Sequence, residues 1–385
     1  MRIGLIIYGN LNTLTGGNLY DRIMVEGLTQ LGHEVEVISL KSGSYLRRLL
    51  LGFSSGVCRR LLAGKFDIII EDELCHPSLF FVNKRLRRQA GPLLVALVHH
   101  ALCEEPRHRW HNMLLAVVER WYLASVDGFI YNSQSTQRTV ASLVDHQRPQ
   151  VIAYPAGDRF GSPLSEEFIG KRAQRSGALE LLFLGNVIPR KGLLPLLRAL
   201  AEVDLDVWHL SIVGGLEFDS VHAGRARQLV KQLGLSDSVR FLGPLQDDKL
   251  MEILRTSHIF CMPYAYEGFG IAILEAMAFG LPAIGCKDGA AFETISHGIN
   301  GFLLAPDDLA GLGPVLVKLH GDREKLRQLA LAARTTCLSR PSWRDSSAAI
   351  DTFLQKMKAL RDQSNITTAV SDSGTSGRMN SDAQR

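Results

Sequence analysis

The chain reads as an α/β protein with two doubly wound, Rossmann-like domains facing a central cleft. Three observations carry that reading. At 385 residues there is length for two domains, each with its own core. Short apolar runs alternate with helix-period stretches in both halves, the pattern of parallel sheets covered on both faces. Between the halves, residues 158–177 turn polar and irregular, as a linker does.

Arg2–Tyr8 is the first expected strand, and Gly9–Gly17 the loop after it. Leu19, Ile23, Leu28 and Leu31 then recur at helical spacing until Gly32 stops the helix. Val35–Leu40 completes a βαβ unit. Further strands are expected at Phe66–Ile70, Leu93–Val98, Gly128–Asn132 and Gln150–Tyr154. The second series runs from strand Leu179–Leu184 through helix Leu193–Ala201, strand Val207–Val213, helix Ala223–Leu233 and strand Val239–Leu242. Helix Asp248–Thr256, strand His258–Met262, helix Ile271–Phe279 and strand Pro282–Cys286 follow. The domains therefore span 1–165 and 178–340, with a closing helix over 341–362. The remaining 363–385 is rich in Ser, Thr, Asn and Gly without apolar period, and is expected to be disordered.

Composition narrows the function classes. There are 43 Lys+Arg and 39 Asp+Glu, a net charge of +4, with 46% hydrophobic residues. That mixture excludes general disorder and gives no argument for nucleic-acid binding. The six cysteines form no CxxC pair, so a reducing compartment is expected. The apolar run at the N-terminus is too short for a signal peptide, and no stretch spans a bilayer. The expected location is the cytoplasm, or the cytoplasmic face of a membrane.

The most informative stretch is Pro263–Met277, where a strand gives way to a glycine turn and a helix starts near Gly270. Free amides at that start suit a phosphate. Glu267 precedes the helix and Glu275 lies eight residues on, among Ile273, Leu274 and Met277. A buried carboxylate needs hydrogen-bond donors, which a ribose diol supplies; an amphipathic helix with one solvated Glu is the plainer alternative.

The stretch resembles the paired-glutamate signature of glycosyltransferase family 4, retaining enzymes of the two-domain GT-B fold. Leu184-Gly185-Asn186-Val187-Ile188-Pro189-Arg190-Lys191-Gly192, Ile212-Val213-Gly214-Gly215, Val239–Pro244 and Gly298–Leu303 occur in family order. Gly16-Gly17 and Val98-His99-His100 sit at familiar places in the first half. The resemblance implies a retaining, metal-independent transferase that moves a sugar from a nucleotide-diphospho-sugar to a hydroxyl acceptor (a glycan, a lipid-linked glycan or a small molecule). The nucleotide sugar is a substrate, and no cofactor is implied. Glu275 would accept from the donor ribose, and Glu267 would position the transferring sugar. Lys191 would pair with the diphosphate, helped by the amides of Gly268, Phe269 and Gly270. Gly16 and Gly17 would admit the donor closely, Leu242 would face the nucleobase, and His99 would lie by the sugar. One departure stands out: Asn186 occupies a place that the family usually gives to arginine. An asparagine cannot neutralise charge, and Arg190 is the neighbouring candidate to do so.

Other readings remain beside these. An epimerase, a phosphorylase or an inactive nucleotide-binding scaffold would share the architecture. His99 and His100 also fit an ordinary structural role. With Cys103, His108 and His111 they match no standard zinc spacing, so no metal is expected. Residues 41–65 carry six basic and no acidic residues among leucines. That suits peripheral contact with anionic lipid, and equally a solvated face or a grip on an anionic acceptor.

Overall fold

The computed structural model describes residues 1–385 apart from 90, 106, 145–146, 264–267, 288, 306–308 and 377–385, and leaves out the side chains of 365–376. Two six-stranded parallel sheets organise it. In the first, β1 (Arg2–Tyr8), β2 (Glu34–Leu40), β3 (Ile68–Asp72), β4 (Leu93–Val98), β5 (Gly128–Tyr131) and β6 (Gln150–Ile152) lie in the order β2-β1-β3-β4-β5-β6. In the second, β7 (Leu179–Leu184), β8 (Trp208–Val213), β9 (Val239–Gly243), β10 (Ile259–Cys261), β11 (Ala283–Cys286) and β12 (Gly301–Leu304) lie in the order β12-β11-β10-β7-β8-β9. The short β12, which the sequence did not announce as a strand, closes the edge beside β11.

The central strands are apolar on both sides because helices cover both sheet faces. Leu5 sits opposite Val37 on one neighbour and Ile70 on the other, and Ile3, Leu5, Ile6 and Ile7 are all buried. Each such side chain contributes about 1.5–3 kcal/mol when fully buried. The sheet packs into one cluster on each face, and the second domain has a single continuous core.

Three expectations need correction. The polar segment 158–177 is not simply a linker: it holds helix Glu166–Ala173, capped by the Ser165 hydroxyl. Arg172 within it is buried and donates to the carbonyls of Phe279 at 2.8 Å and Gly280 at 2.6 Å. Its charge is internal because it meets the carbonyl end of helix Ile271–Ala278, where a cation is favoured. Gly16 and Gly17 belong to the first turn of helix Gly16–Gln30 rather than to the loop, because the Thr15 hydroxyl accepts from the Asn18 amide. The closing helix runs Trp343–Ser376, so 363–376 is helical where disorder was expected. No Gly or Pro interrupts it before Gly374.

That closing helix follows the second domain but packs on the first. Ile350, Phe353, Leu354 and Met357, at helical spacing, share a core cluster with Ile3, Leu5 and Met24. Among the described residues, no helix is long and apolar enough to cross a membrane.

Candidate active site

In open parallel sheets, ligands meet the carboxyl ends of strands where the strand order reverses. Here those points are the ends of β1 and β3 in one sheet and of β7 and β10 in the other. Beside these points, loops leaving β4 and β5 of the first sheet touch loops leaving β10 and β11 of the second. Ser133 Oγ donates to the Gly268 carbonyl at 2.8 Å, and Glu293 accepts from the amides of Gln134 and Ser135. A Cβ at Gly268 would lie 2.0 Å from the His99 carbonyl oxygen, so only glycine permits this approach.

His99 ends β4 and is buried. Its Nε2 meets Asp21 Oδ1 at 2.9 Å, and its carbonyl accepts from Asn132 Nδ2 at 2.9 Å. Burial pulls its pKa down, but Asp21, Asp72 and Glu73 outweigh it and hold it at about 9. Burial and the Asp21 charge likewise push Asp72 up to about 6, against the pull of His99. The sequence held a signal for Asp21 that went unread. It falls in the buried stripe Tyr20, Asp21, Met24, Leu28, where a carboxylate requires a partner. Gly17 faces the same ring: a Cβ there would come 3.5 Å from His99 Cδ2, whereas one at Gly16 would meet open space.

On the opposite side, Lys191 ends a single turn over Pro189–Lys191 after β7, and its stem lies against Gly185. Asn186 bridges the domains. Its Nδ2 donates to the Leu14 carbonyl at 3.1 Å, and its Oδ1 accepts from the Gly215 amide at 3.0 Å. Arg190 lies 3.9 Å from Glu105, which also meets His100 Nε2 at 3.0 Å. Leu242 sits half-buried in β9.

Helix Ile271–Ala278 begins at Gly270, whose φ of 87° is open to glycine. Phe269 beside it is buried, with Arg340 over its ring. Glu275 is buried in the helix, and burial raises its pKa while Arg159 opposes the rise. Arg159 Nε donates to Glu275 Oε1 at 2.6 Å and its Nη1 to Asp247 at 2.7 Å. Arg159 was missed because it lies in the polar stretch read as linker. Glu267 lies outside the described residues.

The structure does not gather His99, His100, Cys103, His108 and His111 into a metal site. Among the described residues, the carboxylate–histidine group that forms is Glu73, His76 and Glu119, with ligand atoms within 4.8 Å of one another. His76 and Glu119 already have hydrogen-bond work, while both carboxylate oxygens of Glu73 are buried without a hydrogen-bond partner among the described residues. His76 Nε2 meets the Tyr45 hydroxyl at 3.1 Å and His76 Nδ1 the Glu73 carbonyl at 3.0 Å, while Glu119 accepts from the amides of Leu102 and Cys103. The group anchors the loop that follows His99. A hollow of about 530 Å³ near Lys65, Asp67 and Lys358 lies at the opposite, amino edge of the first sheet.

Residues 165–336 match the family model described as Glycosyl transferases group 1, beginning at the helix first taken for linker. The chain is 26% identical to the MMP alpha-(1->4)-mannosyltransferase of Mycolicibacterium hassiacum, over 90% of this chain and 96% of the relative. Among solved structures, sucrose-phosphate synthase from Thermosynechococcus elongatus superposes with a TM-score of 0.79 at 19% identity, over 93% and 99% of the two chains. HepE from Anabaena, in complex with UDP and glucose, does so with a TM-score of 0.75 at 21% identity, over 92% and 100%. Two parallel sheets with their strand-end loops in contact agree with these likenesses: the chain is a glycosyltransferase of the two-domain GT-B fold, and its residues 165–336 carry the match to glycosyl transferases group 1.

Proposed function

We propose that the chain moves a hexose from a nucleotide-diphospho-sugar to a hydroxyl acceptor with retention, using neither metal nor bound cofactor. The first domain (1–165) takes the acceptor and the second (178–340) the donor. One observation carries the reading: the Lys191 turn and the Gly270 helix start leave β7 and β10 where that sheet's order reverses, and Gly268 meets His99 across the cleft.

Negative charge grows on the departing diphosphate as its bond to the sugar breaks. Lys191 and the amides of Gly268, Phe269 and Gly270 are the groups to stabilise it. Glu275 receives the ribose hydroxyls beside Arg159, Leu242 faces the base, and Glu267 positions the sugar. Asp21 keeps His99 charged and occupies Nε2, which leaves Nδ1 as the ring's donor toward the sugar. We place the protein in the cytoplasm, in peripheral contact with the membrane through 41–65.

The test starts with UDP-sugars, since HepE holds UDP, and extends to GDP- and ADP-sugars. A donor at 100 times its dissociation constant should add about 2.7 kcal/mol of stability. Lys191→Ala should lower kcat by about 10²–10³-fold. Chelator should leave turnover unchanged, and product NMR should report the donor's own anomeric configuration. Absence of a thermal shift with every nucleotide sugar would sink the reading, and a product formed without consumed acceptor would favour an epimerase.

A further inference from the structure

Helix Arg109–Leu123 is apolar on two faces. One face, with Leu115, Tyr122 and Leu123, is buried as expected. The other carries Trp110, Met113, Leu114, Val117 and Trp121 at helical spacing, and all five are exposed, Met113 to 70% and Trp110 to 65%. A soluble surface explains scattered apolar residues but not a whole stripe with two tryptophans.

The stripe does not stand alone. Leu46, Leu50 and Phe53, in and just after helix Tyr45–Leu51, are also exposed. Helix His76–Arg88 joins the two through tilted ring contacts: Phe53 meets Phe81 at 4.5 Å, Phe81 meets Phe80 at 3.9 Å, and Phe80 meets Trp121 at 5.8 Å. This aromatic row, with Phe81 half-buried and Phe80 buried, sets the two exposed groups side by side. Exposed Arg47, Arg59, Lys84, Arg88, Arg109 and Arg120 lie on these helices and on the neighbouring Ser55–Ala63. Those four helices carry a single acidic residue, Glu119, and it is buried.

We infer that this face docks onto an anionic lipid surface, with helix Arg109–Leu123 inserting its apolar stripe and the arginines and lysines meeting the headgroups. The inference deepens the peripheral contact proposed above, and it moves the inserting element from 41–65 to a helix that the sequence did not flag. Charge selects the occupant: a two-fold contact with a second copy would set this basic surface against itself. Residues 41–65 contribute fewer headgroup contacts than their charge suggests. Arg48 is spent on the Tyr8 ring at 4.4 Å, and Arg60 pairs with Glu36 at 3.9 Å.

The experiment is co-sedimentation of the full chain with phosphatidylcholine vesicles, with and without phosphatidylglycerol, at low and high salt. Binding should require phosphatidylglycerol and fall with salt. Trp110→Ser combined with Leu114→Ser should weaken it at least about tenfold. Because both side chains are exposed, the variant should keep its thermal midpoint and its stabilisation by nucleotide, a readout that needs no lipid. A second measurement needs no variant: Trp208 and Trp343 are buried, so a blue shift of tryptophan emission on adding vesicles reports Trp110 and Trp121. Equal pelleting of variant and wild type, no emission shift, or a wild-type dimer that the variant dissociates would each overturn the proposal.

Discussion

Asp21 Oδ1 lies 2.9 Å from His99 Nε2, and both side chains are buried at the meeting point of helix Gly16–Gln30 and the end of β4. The Asp21 carboxylate holds a positive charge on the imidazole and balances it across the ion pair. It also makes the imidazole a donor at neutral pH, a state that water alone would not maintain.

Replacing Asp21 with Asn should release that charge. The His99 pKa, about 9 against an ordinary 6.5, should fall as burial is opposed by Asp72 and Glu73 alone. The native shift corresponds to about 3 kcal/mol. This contribution is complete below about pH 6.5 and is lost as pH rises through 9. NMR titration of the imidazole checks it, and a variant titrating near 9 would remove Asp21 as the cause.

Glu73 and Glu119 act in the same direction. Burial holds them at about 8 and about 7, far above the 4.5 of an exposed glutamate. Their protonated forms suit the folded state, so stability is full below about pH 4.5 and lost as pH rises through 7 to 8. Glu73→Gln should flatten that decline and raise the melting temperature at pH 8.5 by about 2–6 °C. An unchanged pH profile would show that Glu73 does not carry the buried proton.

Glu275, which we propose as a donor contact, also has a partner in Arg159. Removing it leaves Arg159 without its buried partner, so Glu275→Ala should cost about 3 kcal/mol of stability as well as donor affinity. Glu275→Gln should retain more of the fold while still weakening nucleotide binding. Calorimetry with each variant separates the two effects; full donor affinity in Glu275→Gln would take the carboxylate out of the site.

Asn186→Arg is expected to weaken, not tighten, donor binding. The larger side chain cannot keep both the Leu14 carbonyl and the Gly215 amide, and losing one such bond costs about 0.5–1.5 kcal/mol. The predicted loss is about 2–10-fold in donor affinity. Tighter binding would mean that the missing charge matters more than the bridge between domains.

Much of this was legible in the residues. The strands Arg2–Tyr8, Leu93–Val98 and Leu179–Leu184 agree with expectation to the residue, because buried parallel strands are short apolar runs bounded by loops. Other boundaries moved by a residue or more: the β3 expectation began at Phe66, and the strand begins at Ile68. Polarity misled where polar groups were internal. Arg172 and Arg159 made 158–177 look solvated, yet one satisfies carbonyls and the other a buried carboxylate.

By itself the sequence determined two doubly wound domains and the helix start at Gly270. Those features depend on local periodicity and on residues that only certain backbones accept. Tertiary structure alone decided the partners: Asp21 for His99, Arg159 for Glu275, Leu14 for Asn186, and the first sheet for the closing helix. Each joins residues far apart in the chain, across distances where side-chain spacing along one element carries no information. The exposed stripe of Arg109–Leu123 shows the same limit. Its two faces are both apolar in sequence, and only packing reveals which one the core covers.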